Sequence, residues 1–140
     1  MSISSSIKEE ISLKKFKEKV INDFRTVSLS RETSVQGRRE VLLGKGKFGI
    51  FGDGKELPQV VMSHFFKDGD YRSGYYRDQT LLMSQDLLSA REIFSAVYGH
   101  PDKVYEKMSG GRQMAGHFLT NTIDENNNWI DQTKQKNHMT

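Results

Sequence analysis

The segment Tyr71-Arg72-Ser73-Gly74-Tyr75-Tyr76-Arg77-Asp78 places three tyrosines and two arginines within eight residues, after the turn-forming Asp68-Gly69-Asp70 and before a helical stretch. Arginine offers a planar fork of donors that matches phosphate oxygens, and a phenolic hydroxyl adds a further donor. Tyr76-Arg77 is therefore chemically suited to clamp a diphosphate. The competing reading is a surface loop in which an arginine pairs with Asp70 or Asp78.

Two glycine motifs point elsewhere. Leu43-Gly44-Lys45-Gly46-Lys47-Phe48-Gly49-Ile50 copies the loop that covers ATP phosphates in protein kinases. A kinase also needs a catalytic loop with an aspartate base, a metal-binding DFG and a partner glutamate, and none of these is present, so the stretch reads as a flexible loop. Gly52-Asp53-Gly54 copies the start of the metal and diphosphate motif of thiamine enzymes. The asparagine that completes such a magnesium site is missing at the required spacing, since the next ones are Asn121 and Asn126 to Asn128. A turn leading into a helix is the better reading, with glycines chosen for backbone freedom.

Four histidines are candidates for proton transfer near neutral pH. His64 falls inside a helical stretch and His100 adjoins a helix-ending glycine and proline, which suits packing or surface roles. His138 lies in a polar tail. His117 follows Gly111-Arg112-Gln113-Met114, and its residue type alone leaves an ordinary hydrogen-bonded histidine and a catalytic one both open. Met62, Met83, Met108 and Met114 share no spacing and are most simply core filling.

These residues must be positioned by a mainly helical chain. Leu13, Phe16, Val20, Phe24 and Val27 recur at spacings of three and four, which predicts an amphipathic helix over roughly Ser12 to Leu29. From Ser30 to Gly54 the glycines predict loop with short extended pieces. Pro58 sits where a first helical turn tolerates proline, and Val60, Val61, His64 and Phe65 continue a short second helix until Asp68-Gly69-Asp70. Ser89-Ala90-Arg91-Glu92 has the capping-box arrangement ahead of Ile93, Phe94, Val97 and Tyr98, and Gly99 with Pro101 stops that helix. Beyond Thr120 the polar sequence with three consecutive asparagines predicts loop or a fraying tail. Three regions result: an N-terminal helix over 1–30, a middle segment over 31–120 and a polar tail over 121–140.

Composition narrows the class. With 140 residues, 35% apolar and 10% aromatic, the chain can build one core. A net charge of +3 with acids interspersed gives no basic patch for nucleic acid. The absence of cysteine excludes disulfides and thiolate metal sites, and no apolar run approaches a membrane span or a signal core. The expectation is a cytoplasmic protein.

The runs GIFGDGKE, DGDYRSGYYRD, REIFSAVYG and SGGRQMAGHF, in that order and spacing, resemble the α subunit of the branched-chain (2-oxoisovalerate) 2-oxo acid dehydrogenase decarboxylating component. The pyruvate relative is similar but less close. The resemblance covers about Arg25 to Thr120, and GRQM followed by a histidine is its most specific part. It implies a doubly wound α/β thiamine-diphosphate-binding domain, of which this chain carries the N-terminal, mainly helical part. It implies that Tyr76 and Arg77 contact the diphosphate, with Tyr75 beside them at a position that is often another polar residue in relatives. It implies that His117 lies near the reacting carbon, although Ala115-Gly116 stands where relatives commonly have a proline-containing spacer.

The implied reaction is oxidative decarboxylation of a branched-chain 2-oxo acid, with acyl transfer to lipoyl. The implied cofactors are thiamine diphosphate and magnesium, the latter with ligands outside this chain. The implied partners are a β subunit or β half and a lipoyl-bearing transacylase, with no nucleic acid and no membrane. Without those parts the chain is expected to be inactive. The alternative is a non-catalytic helical interaction module, or remnant, of the same family.

Overall fold

A computed structural model of the chain describes residues 12–113 and 116–139. The elements are α1 (Leu13–Leu42), α2 (Glu56–Ser63), β1 (Tyr71–Ser73), α3 (Gln79–Ser84), α4 (Ala90–Val97), a 3-10 turn (Gln132–Lys134) and β2 (Asn137–Met139). The described residues thus form a mixed, mainly helical structure with a two-stranded parallel sheet.

Helix α1 begins as its sequence suggests, with the Ser12 side chain accepting from the Lys15 amide. It does not stop at Leu29. It continues to Leu42, where Gly44 takes up the left-handed conformation (φ +74°) that ends helices. The first part of the segment whose glycines predict a loop is instead the buried face of this second half: Ser30, Thr33, Ser34 and Gly37 are all covered. Small residues there admit close neighbours. Ser30 Oγ and Thr80 Oγ1 are 2.6 Å apart, and the Gln79 amide donates to Ser30 O and Ser34 Oγ. Any side chain at Gly37 would overlap the Phe51 ring. Tertiary packing has overridden the local signal.

The apolar stripe on the first half of α1 has a different fate from the core role that its spacing suggests. Leu13, Phe16, Val20 and Phe24 are exposed, with Phe24 69% accessible. Its tie to the body is the Asp23 carboxylate, 2.9 Å from His64 Nε2 at the end of α2.

Helix α2 lies on α1 through Arg31, whose fork meets both Glu56 oxygens at 2.6 and 2.9 Å, and through the Arg38–Asp53 pair. Burial alone would raise the Glu56 carboxyl, but Arg31 and the backbone amides of Glu56 and Gly54 together outweigh it and hold the group below its ordinary value. Helix α4 starts with the full reciprocal capping box between Ser89 and Glu92. The core is Leu82, Met83, Leu88 and Ile93, with Phe51, Met108 and Phe118 packed against it. Met83 and Met108 fill that core, whereas Met62 is exposed and Met114 lies outside the described residues.

The polar segment after Thr120 is also more ordered than its composition suggests. The Asp124 carboxylate accepts the amides of Asn126 and Asn128, and Asn127 adopts a left-handed φ of +63°. Asn and Asp build such turns from their own side chains. The turn lets Ile123 bridge to Trp129, and the chain then returns so that β2 pairs in parallel with β1, Arg72 opposite His138. His138 is therefore not in a tail but almost fully buried.

Candidate functional site

The link between β1 and α3 is a tight turn closed from both sides. The Asp78 amide donates to Tyr75 O, and the Tyr75 amide donates to Asp78 Oδ2, both at 2.9 Å. Tyr76 and Arg77 occupy the two central positions. The turn is held at its back by the buried Gln59 of α2, whose Nε2 donates to Arg77 O at 3.2 Å. Gly52 lies against the same carbonyl so closely that a Cβ would overlap it, which gives the Gly52-Asp53-Gly54 turn a packing role beside its lead into α2.

The nominated side chains come together. The Arg77 guanidinium lies 5.1 Å from the Tyr75 ring centroid and 5.9 Å from that of Tyr76. Its buried Nε finds no hydrogen-bond partner among the described residues. The pairing expected of a surface loop is also present, between Arg72 and Asp78 at 2.5 Å, while Asp70 accepts the Lys67 amide. The Tyr75 hydroxyl lies 2.6 Å from that of Tyr76. The contact with Tyr75, followed by burial, raises the Tyr76 pKa.

His117 arrives from a distant segment, with its ring centroid 6.2 Å from that of Tyr76. Its amide donates to Gln113 Oε1 at 3.3 Å. The preceding loop is organised by Glu106, a buried carboxylate that accepts the amides of Met108, Ser109 and Gly111 and the Ser109 hydroxyl. Burial would raise this carboxyl, but these donors outweigh it and lower its pKa. Ser109 Oγ in turn accepts the amides of Arg112 and Gln113. The Ala115 half of the altered spacer lies outside the described residues.

Met108 and Phe118 separate two spaces. Tyr75 and Tyr76 border an apolar cavity of about 40 Å³, together with Phe51 and Ile93. His117 borders a wider cleft of about 940 Å³ that also touches Lys103 and Lys107. The Gly49-Ile50 end of the kinase-like motif, with Phe51 after it, is part of the wall of the smaller cavity.

His64 and His100 take the structural roles expected of them, His64 against Asp23 and His100 against the Tyr105 ring at 4.9 Å. Asp78 is the carboxylate that the sequence offers as a partner for an arginine of the motif, and Arg72 is that arginine, whereas nothing local marks Gln59 in α2 as the backstop of a turn.

Comparison of the chain with models of known protein families, with curated proteins and with solved structures finds no match.

Proposed function

We propose that this chain is the N-terminal, diphosphate-gripping part of the α subunit of a cytoplasmic thiamine-diphosphate-dependent 2-oxo acid dehydrogenase of the branched-chain type. Arg77, Tyr76 and Tyr75 grip the cofactor diphosphate, and His117 stands at the reacting end. The observation that carries this reading is the Arg77 guanidinium, 5.1 and 5.9 Å from the Tyr75 and Tyr76 ring centroids with an unsatisfied buried Nε, together with a histidine from a remote segment near Tyr76. An oriented cation and a neutral phenolic donor form a donor set suited to an anionic diphosphate. His117, the residue assigned to the reacting end, borders the wider cleft, whereas Tyr75 and Tyr76 border the smaller cavity.

When bound, thiamine diphosphate would supply the carbanion chemistry of decarboxylation. Arg77 and Tyr76 would bind and orient its phosphates, and the His117 imidazole would hold or release a proton near the reacting carbon. Magnesium would take its ligands from outside this chain; among the described residues no three His, Cys, Asp or Glu side chains converge on one point. The β subunit completes the site, and a lipoyl-bearing transacylase receives the acyl group.

One observation favours the second reading, a non-catalytic interaction module: the uncovered stripe Leu13, Phe16, Val20 and Phe24 on α1. The two readings separate in the assembled enzyme. Arg77→Ala costs about 1.5–3 kcal/mol of cofactor affinity and is rescued by excess cofactor, whereas His117→Ala keeps affinity and lowers saturated turnover about 10²–10⁴-fold. Cofactor binding and turnover unaffected by both substitutions would leave only the interaction module.

A further inference from the structure

The grip turn is tied to the last strand of the chain by a line of buried polar groups with no role in the reading so far. His138 in β2 lies opposite Arg72 in β1, and its Nδ1 accepts from Arg72 Nε at 3.2 Å. The arginine is permanently protonated and can only donate, so Nδ1 carries no proton and Nε2–H donates to Gln85 Oε1 at 2.9 Å. The ring itself is fixed between Phe66, at 4.9 Å, and Phe118, at 5.9 Å, the residue next to His117.

Arg72 passes this constraint on. Its Nη1 meets Asp78 Oδ2 at 2.5 Å, the same oxygen that accepts the Tyr75 amide and so closes the turn carrying Tyr76 and Arg77. The guanidinium crosses directly over Gly74, where any side chain would overlap it. The route from His138 to the grip therefore has three members, the buried His138, the largely buried Arg72 side chain and the partly exposed Asp78, joined by consecutive hydrogen bonds.

We propose that His138 is a positioning residue for the cofactor grip: through Arg72 and Asp78 it fixes the Tyr75–Arg77 turn in the geometry that holds a diphosphate. This rests on the thiamine-diphosphate reading. It makes the closing strand part of the cofactor site without touching the cofactor, and it identifies the Nδ1 acceptor, not the bulk of the ring, as the property required.

The test compares three substitutions in the assembled enzyme, with Arg77→Ala as reference, measuring thiamine diphosphate affinity and saturated turnover separately. An asparagine oxygen can stand where Nδ1 stands, whereas a glutamine reaches the Nε2 position and phenylalanine keeps only the packing. His138→Gln and His138→Phe should weaken cofactor binding by about tenfold, the loss of one hydrogen bond to a charged group, with saturated turnover falling less than about threefold. His138→Asn should recover most of the affinity. Gly74→Ala, which displaces the Arg72 guanidinium and leaves the His138 ring in place, should give the same loss even if a His138 variant does not assemble.

Equal losses for His138→Asn and His138→Gln would overturn the proposal, because packing would then be all that matters. Unchanged affinity in His138→Gln and Gly74→Ala alongside a weakened Arg77→Ala would overturn it while the cofactor reading stood. Unchanged affinity in Arg77→Ala as well would remove that reading and this proposal with it.

Discussion

Burial of His138 makes a pH-dependent stability that can be worked out in advance. The imidazole is 2% exposed, and its pKa is pushed down from an ordinary 6.5 to about 4, first by burial, then by Arg72 and Lys136. The unfolded chain takes up this proton around pH 6.5 while the folded chain refuses it until about pH 4. Stability is therefore full above pH 6.5 and falls as the pH drops towards 4. Glu56, Glu92 and Glu106 have carboxyls held below their ordinary 4.5, so their contributions begin to fade near that pH and are lost below it. The difference between the wild type and a variant without the imidazole therefore isolates the histidine, and just under about two pH units at about 1.4 kcal/mol each give a loss of about 2–2.5 kcal/mol. Urea denaturation of the chain at pH 7 and at pH 4.5, for the wild type and for His138→Asn, measures it. Between the two pH values the variant should lose less stability than the wild type, by that amount. Equal losses in both proteins would refute the buried, unprotonated histidine and the bond from Arg72 that requires it.

Two further substitutions test the helices that place the site. Gly37→Ala drives a methyl into the Phe51 ring and should destabilise the chain by about 1–3 kcal/mol, in contrast to the gain expected of Gly→Ala in an open helix; thermal denaturation would show the sign. Ser89→Ala removes one half of the capping box of α4 and should cost about 0.5–2 kcal/mol by the same measurement, whereas no change would mean that α4 is held by packing alone.

What could be read from the residues follows the range of the forces involved. Capping at Ser89, the proline-tolerant start of α2 and the turn at Gly52-Asp53-Gly54 are local events, encoded within a few positions, and the structure has each of them. The second half of α1 was misread because serine and glycine signal loops only when nothing packs on them, and here Gln79, Thr80 and Phe51 do. The pairing of β1 with β2 joins the middle of the described chain to its C-terminal part, and three-residue strands leave no periodicity to detect. Consequently His138 looked like tail. The stripe on α1 carried the opposite lesson, since a correct helical spacing does not say whether anything covers the apolar face.

Within the candidate site, the residue types of Tyr75, Tyr76 and Arg77 already suggested anion binding, because the chemistry belongs to the side chains themselves. The approach of His117 to Tyr76 depends on how two distant segments fold together, which composition and spacing do not encode.

The central claim is that Arg77 grips a diphosphate, and titration calorimetry of thiamine diphosphate into the 140-residue chain, wild type and Arg77→Ala, tests it most directly. The account predicts weak wild-type binding, with a Kd above about 1 μM because the magnesium ligands lie elsewhere, and a clear loss of that binding in the variant. An isotherm that Arg77→Ala leaves unchanged, or a wild-type chain that takes up no thiamine diphosphate, would contradict it.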